Sequence, residues 1–120
     1  SNISARIRLH EMYSQNQTGW FPWIYHNCKI TDGIRILEIG CGDGTLWSEN
    51  MAKLPQNISV VLSDISEGML RDVRRRIGND SRFAFQAFDC HRIPFASDSF
   101  DLVIANHVLF YCKDISKVCR

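Results

Sequence analysis

The stretch that decides the fold is "IRILEIGCGDGTL", Ile34 to Leu46. Ile34 to Ile39 read as a buried strand, and they run straight into Gly40, Gly42 and Gly44. One glycine is enough to turn a strand into a helix. Three of them, separated only by Cys41 and Asp43, bring bare main chain up to something that side chains would block.

Working outward, "TLWSENMAKL" (Thr45 to Leu54) reads as a helix that stops before Pro55. "ISVVLSD" (Ile58 to Asp64) is a second strand, and its unbroken "VVL" predicts burial on both faces. "SEGMLRDVRRRI" (Ser66 to Ile77) is a helix with Ser66 as N-cap and Gly78 as stop. Its arginines point to more than one side and form a solvated face. "RFAFQAF" (Arg82 to Phe88) and "FDLVIAN" (Phe100 to Asn106) are strands three and four. On the other side, residues 3 to 14 form an amphipathic helix. A second short helix, with Pro22 in its first turn, carries "WFPWIY". Residues 1–33 thus make an N-terminal helical and aromatic lid, and 34–120 a ligand-binding unit.

Strands alternating with helices give an α/β fold with a parallel sheet, and right-handed crossovers give the strand order 3-2-1-4. This is a Rossmann-like doubly wound sheet with N-terminal helices. "LVIA" is apolar on both faces and is followed by "HVLFYC". An exposed edge of that kind invites aggregation. The expectation is a domain truncated after strand four, incomplete at its C-terminus, or an edge that self-association covers.

Composition narrows the class. A formal charge of +1 gives no support to a nucleic-acid or anionic-membrane surface. No apolar run approaches the roughly 20 residues a bilayer span needs. Cys28, Cys41, Cys90, Cys112 and Cys119 form no CxxC pair and are odd in number, which fits reduced thiols in the cytoplasm rather than disulfides or zinc. No metal site is expected.

In open α/β sheets ligands bind beyond the carboxyl ends of the strands, where the strand order reverses. The glycine loop lies there. Its spacing is G-x-G-x-G, one residue shorter than the dinucleotide fingerprint. Glu38 and Asp43 flank it, and two carboxylates would repel a pyrophosphate but suit a ligand with positive charge. Asp64 ends strand two, 20 residues after Gly44, where a carboxylate accepts from two ribose hydroxyls. Asp89, with Cys90 beside it, ends strand three at the height of an adenine edge. Ile65 and Met69 are placed to sandwich the flat base.

"LEIGCGDG", "LSDIS..ML" and "FDCHRIPFASDSFDLVIANHVL" resemble, in order, the motifs of class I S-adenosylmethionine-dependent methyltransferases, in particular the small-molecule group. The resemblance covers residues 36 to about 112. It implies that Gly40, Cys41 and Gly42 wrap the methionine part of S-adenosylmethionine and that Glu38 faces its ammonium, directly or through water. It further implies that Asp64 holds the ribose, Ile65 packs on adenine, and Asp89 with the Cys90 backbone reads the adenine amino edge. Asn106 would approach the methionine moiety and the reacting methyl.

The catalytic residues stay unassigned. His107, Tyr111 and His91 are candidates for the acceptor side, and Tyr13, Trp20 and Trp23 for closing over the cofactor. "ANHVLFY" stands where an "NPPY"-type motif would mark nucleic-acid adenine or glutamine as acceptor, so a small molecule is expected. A non-catalytic cofactor-binding module and a dinucleotide-binding oxidoreductase domain remain as alternative readings.

Overall fold

A computed structural model of the chain describes Tyr25, residues 30–89, Arg92, Pro94, Phe95 and residues 99–105. Within them the elements run β1 (Arg35–Ile39), α1 (Thr45–Ser48), a 3₁₀ turn (Met51–Lys53), β2 (Ser59–Asp64), α2 (Glu67–Ile77), β3 (Phe83–Ala87) and β4 (Leu102–Ala105). All four strands are parallel, in the order β3-β2-β1-β4, the order expected of a doubly wound sheet. β1 is therefore central, and its carboxyl end lies between those of β2 and β4. The expected N-terminal helices fall outside the described residues, apart from Tyr25.

The register explains the core. Ile36 lies beside Val60 and Leu102, and Glu38 beside Leu62 and Ile104. These residues share one face, and α2 covers part of it with Leu70, Val73 and Ile77, spaced to form one stripe of the helix. Leu37, Ile39 and Val103 are buried from the opposite face. β2 follows its predicted two-sided burial closely: Val60 and Leu62 are buried and Val61 half-buried.

α2 begins and ends where its sequence dictates. Ser66 is extended, and its hydroxyl accepts from the Met69 amide at 3.1 Å, closing the N-terminus. Gly78 ends the helix at φ +81°, its amide donating to the Arg74 carbonyl. Arg74, Arg75 and Arg76 are exposed in the last turn, where the helix dipole favours cations.

The helix expected over Thr45 to Leu54 is interrupted. The Asn50 side-chain amide donates to the Leu46 carbonyl at 2.7 Å and so replaces a backbone partner of the helix. The chain relaxes into the 3₁₀ turn Met51–Lys53. Arg82, just before β3, then fixes this segment. Its guanidinium donates to the carbonyls of Met51, Leu54 and Pro55 and grips Asp80 at 2.7 and 3.0 Å.

The Arg82 and Asp80 side chains are only 9% and 20% exposed. Arg82→Ala should thus cost about 2–3 kcal/mol in a denaturant titration, since it leaves a carboxylate and three carbonyls without their charged donor. The Arg82 hydrogen bond holds the Asp80 carboxyl below its ordinary range. A lowered carboxyl stabilises the fold above the unfolded range and loses that contribution as pH falls. The gap between wild type and variant should narrow below about pH 4. A gap that is constant down to pH 2 would exclude the ion pair as its source.

β4 starts at Leu102 rather than at Phe100 because Asp101 is otherwise engaged. Its carboxylate accepts from the Arg35 amide and guanidinium at 2.9 to 3.2 Å, and its amide donates to the Arg35 carbonyl. This clasp sets the β1–β4 register at the end of the sheet opposite the glycine loop. Among the described residues β4 pairs with β1 alone, and no helix is long and apolar enough to cross a membrane.

Candidate functional site

The three glycines all have positive φ: 77° at Gly40, 59° at Gly42 and 72° at Gly44. The amides of Gly40 and Cys41 both donate to the Ser63 carbonyl, each at 2.9 Å. The Ser63 hydroxyl returns a bond of 2.7 Å to the Glu38 carbonyl. The Gly42 amide donates to Asp64 Oδ2 at 3.2 Å, while Asp64 Oδ1 accepts from the Ser66 amide at 3.1 Å. One carboxylate therefore joins the loop after β1 to the start of α2. Each of its oxygens keeps further lone-pair capacity for hydroxyl donors, since a carboxylate offers about four acceptor sites.

The first amide of α1 has a partner within the chain as well. Asp43 Oδ1 accepts from the Thr45 amide at 3.0 Å and from its hydroxyl at 2.6 Å. The Thr45 hydroxyl bond, with the Thr45 amide and the nearby Arg76 cation, holds the Asp43 carboxyl below its usual range. Arg76 also donates to the Thr45 hydroxyl at 3.3 Å. With the Gly40, Cys41, Gly42 and Thr45 amides committed to Ser63, Asp64 and Asp43, a diphosphate at this loop would meet two carboxylates beside fewer free donors. That geometry runs against the dinucleotide reading.

Beside Asp64 the surface turns apolar. Ile65 is 63% exposed and Met69 40%, two of the three large hydrophobic residues that lie open among the described residues. They stand at the head of α2, next to the Asp64 carboxylate. Asp89 is exposed just beyond β3, at the same end of the sheet, and its carbonyl accepts from the Arg92 amide at 2.8 Å. Cys41 is buried with a reduced thiol. Burial, with the carboxylates of Glu38 and Asp64 close by, pushes that thiol far above its usual range, so it is no nucleophile at neutral pH.

Glu38 lies deepest. It is 1% exposed, and its Oε1 accepts from the indole Nε1 of Trp47 at 2.7 Å. Gly44 faces inward toward Val73 of α2. The structure thus gathers Glu38, Gly40, Cys41, Gly42, Gly44, Asp64, Ile65, Met69 and Asp89 at one end of the sheet. Cys90 and Asn106 lie outside the described residues, as do His91, His107, Tyr111, Tyr13, Trp20 and Trp23.

Sequence reasoning missed Ser63 and Trp47. Ser63 carried a signal, as a polar residue inside the otherwise apolar run "SVVLSD". Trp47 carried none, since nothing in the sequence of the first helix sets it apart. Among the described residues no group of three or more His, Cys, Asp or Glu side chains is arranged to hold a metal.

The comparisons with known proteins agree with this geometry. A family described as "Methyltransferase domain" matches residues 36–120. The malonyl-[acyl-carrier protein] O-methyltransferase of Legionella pneumophila is 35% identical over 72% of this chain and 30% of its own length. The demethylmenaquinone methyltransferase of Clavibacter sepedonicus is 42% identical over 59% of this chain and 28% of its own. The chain thus spans about a third of the curated relatives it matches. Among solved structures, an S-adenosylmethionine-dependent methyltransferase from Mesorhizobium loti superposes with a TM-score of 0.63 at 26% identity, covering 86% of this chain and 47% of that one. With the family match spanning most of the chain and the strand order and glycine loop in place, the chain belongs to the class I S-adenosylmethionine-dependent methyltransferases.

Proposed function

We propose that residues 34–120 form the cofactor-binding front of a cytoplasmic enzyme that methylates a small molecule, with residues 1–33 as its cover. The observation that carries this reading is the rim around Asp64. A carboxylate with spare acceptor capacity sits between a glycine loop on one side and two exposed apolar side chains, Ile65 and Met69, on the other. A ribose with a flat base attached needs that combination: acceptors for two hydroxyls and apolar surface for the ring. The carboxylates of Glu38, Asp43 and Asp64 around the loop suit a cationic ligand.

S-adenosylmethionine, once bound, supplies a methyl group on a positively charged sulfur. The chain's own contribution is to hold the nucleoside, exclude water and fix the direction of approach; alignment in a dry pocket can supply most of the acceleration such a transfer requires. A general base is needed only for an acceptor that arrives protonated. The acceptors in the names of the Legionella and Clavibacter relatives, malonyl-[acyl-carrier protein] and demethylmenaquinone, support an acyl or quinone-like acceptor here.

Calorimetric titration with S-adenosylhomocysteine tests the reading directly, with a nicotinamide dinucleotide as control. Binding of the first and not the second is expected. Asp64→Ala should weaken S-adenosylhomocysteine by about 1–3 kcal/mol, the range for a charged hydrogen-bond partner. Unchanged affinity in a folded Asp64→Ala protein would remove Asp64 as the ribose ligand.

A further inference from the structure

Glu38 is an unusual place for a carboxylate. Its strand neighbours in register are Leu62 and Ile104, and its face of the sheet is the apolar one that α2 covers. A carboxylate in such surroundings needs a strong donor to offset its lost hydration. Trp47 supplies one. It is fully buried, its ring packs edge-on against Phe83 at 6.2 Å, and its indole N–H meets Glu38 Oε1 at 2.7 Å.

Glu38 precedes the glycine loop and Trp47 follows it. The bond therefore spans the loop and ties the carboxylate to the helix that follows it, with Glu38 as the acceptor because an indole N–H only donates. The charge is felt at the loop itself: after burial, Glu38 is the largest influence on the Cys41 thiol.

We propose that Trp47 is a positioning residue for cofactor selection: through its indole it holds the Glu38 carboxylate where its charge attracts the ammonium of the ligand's amino-acid end. This rests on the reading of the site as an S-adenosylmethionine site. Two probes separate the effect from simple packing. S-adenosylhomocysteine carries the ammonium, and 5′-methylthioadenosine is a closely related nucleoside without the amino-acid part.

The experiment measures both affinities in the complete protein for wild type, Trp47→Phe and Glu38→Gln. Each variant should lose about tenfold in affinity for S-adenosylhomocysteine and less than twofold for 5′-methylthioadenosine, the size of one weakened charge contact. The double variant should be little worse than either single one. A second readout needs no substitution at Trp47: in Trp20→Phe/Trp23→Phe protein, the indole ¹H–¹⁵N resonance of Trp47 should move on adding S-adenosylhomocysteine and stay put with 5′-methylthioadenosine. Equal losses for both ligands, or an indole signal that responds alike to both, would overturn the proposal and leave Trp47 a packing residue. If wild-type protein binds neither ligand, the cofactor reading itself fails first.

Discussion

Gly42→Val is expected to reduce binding of S-adenosylhomocysteine by more than a hundredfold, below detection in a standard calorimetric titration. Two effects act together. Gly42 has φ +59°, a region that β-branched residues almost never enter. Forcing the backbone out of it turns the Gly42 amide away from Asp64 Oδ2, its acceptor at 3.2 Å, and so frees the carboxylate that also anchors the start of α2. The isopropyl group would in addition stand on the part of the loop proposed to meet the cofactor.

Gly42→Asn separates the two effects. Asn tolerates positive φ, so it keeps the loop conformation while adding a side chain. If Gly42→Asn folds like wild type and still loses affinity, the bare main chain is needed for ligand approach. Retained affinity in the Val variant would show that the loop is merely a turn.

Much of the fold was legible in the sequence because the signals were local. Apolar runs bounded by glycine and polar residues marked four strands, each within a residue or two of its observed bounds. Ser66 and Gly78 marked the ends of α2 because capping is settled within one turn. Strand order followed from the doubly wound pattern of alternating strands and helices together with right-handed crossovers. What the sequence hid depends on residues far apart along the chain. The Ser63 carbonyl gathers two amides from the loop after β1, and Arg82 reaches back to the carbonyls of Met51, Leu54 and Pro55. Neither pairing has a spacing rule. The early end of α1 hid for a different reason: Asn50 is an acceptable helix residue until its amide bonds to the Leu46 carbonyl, a choice propensity does not reveal.

The glycine loop shows the same division within five residues. Gly40, Gly42 and Gly44 looked alike as a cradle, but their surroundings differ. Gly44 is buried, and a Cβ placed on it would lie 2.6 Å from Val73 Cγ1 and 3.3 Å from Cγ2. Val73 cannot swing aside cheaply, because it is fully buried and a valine in a helix has essentially one side-chain rotamer. Gly44→Ala should therefore destabilise the fold by about 2–5 kcal/mol. Of this, about 1–2 comes from an L-residue held at φ +72° and about 1–3 from overpacking against α2.

Val73→Ala makes the prediction specific. On its own it removes buried methyl groups and costs stability. Combined with Gly44→Ala it makes room for the new methyl, so the double variant should be more stable than the sum of the single losses by about 1–2 kcal/mol in denaturant titrations. The backbone part of the cost should persist in the double variant, since removing Val73 methyls does nothing for φ. Strict additivity would mean that α1 and α2 are not in contact at this point. The third glycine of the loop would then serve the ligand alone, instead of letting the helix after β1 pack close against α2.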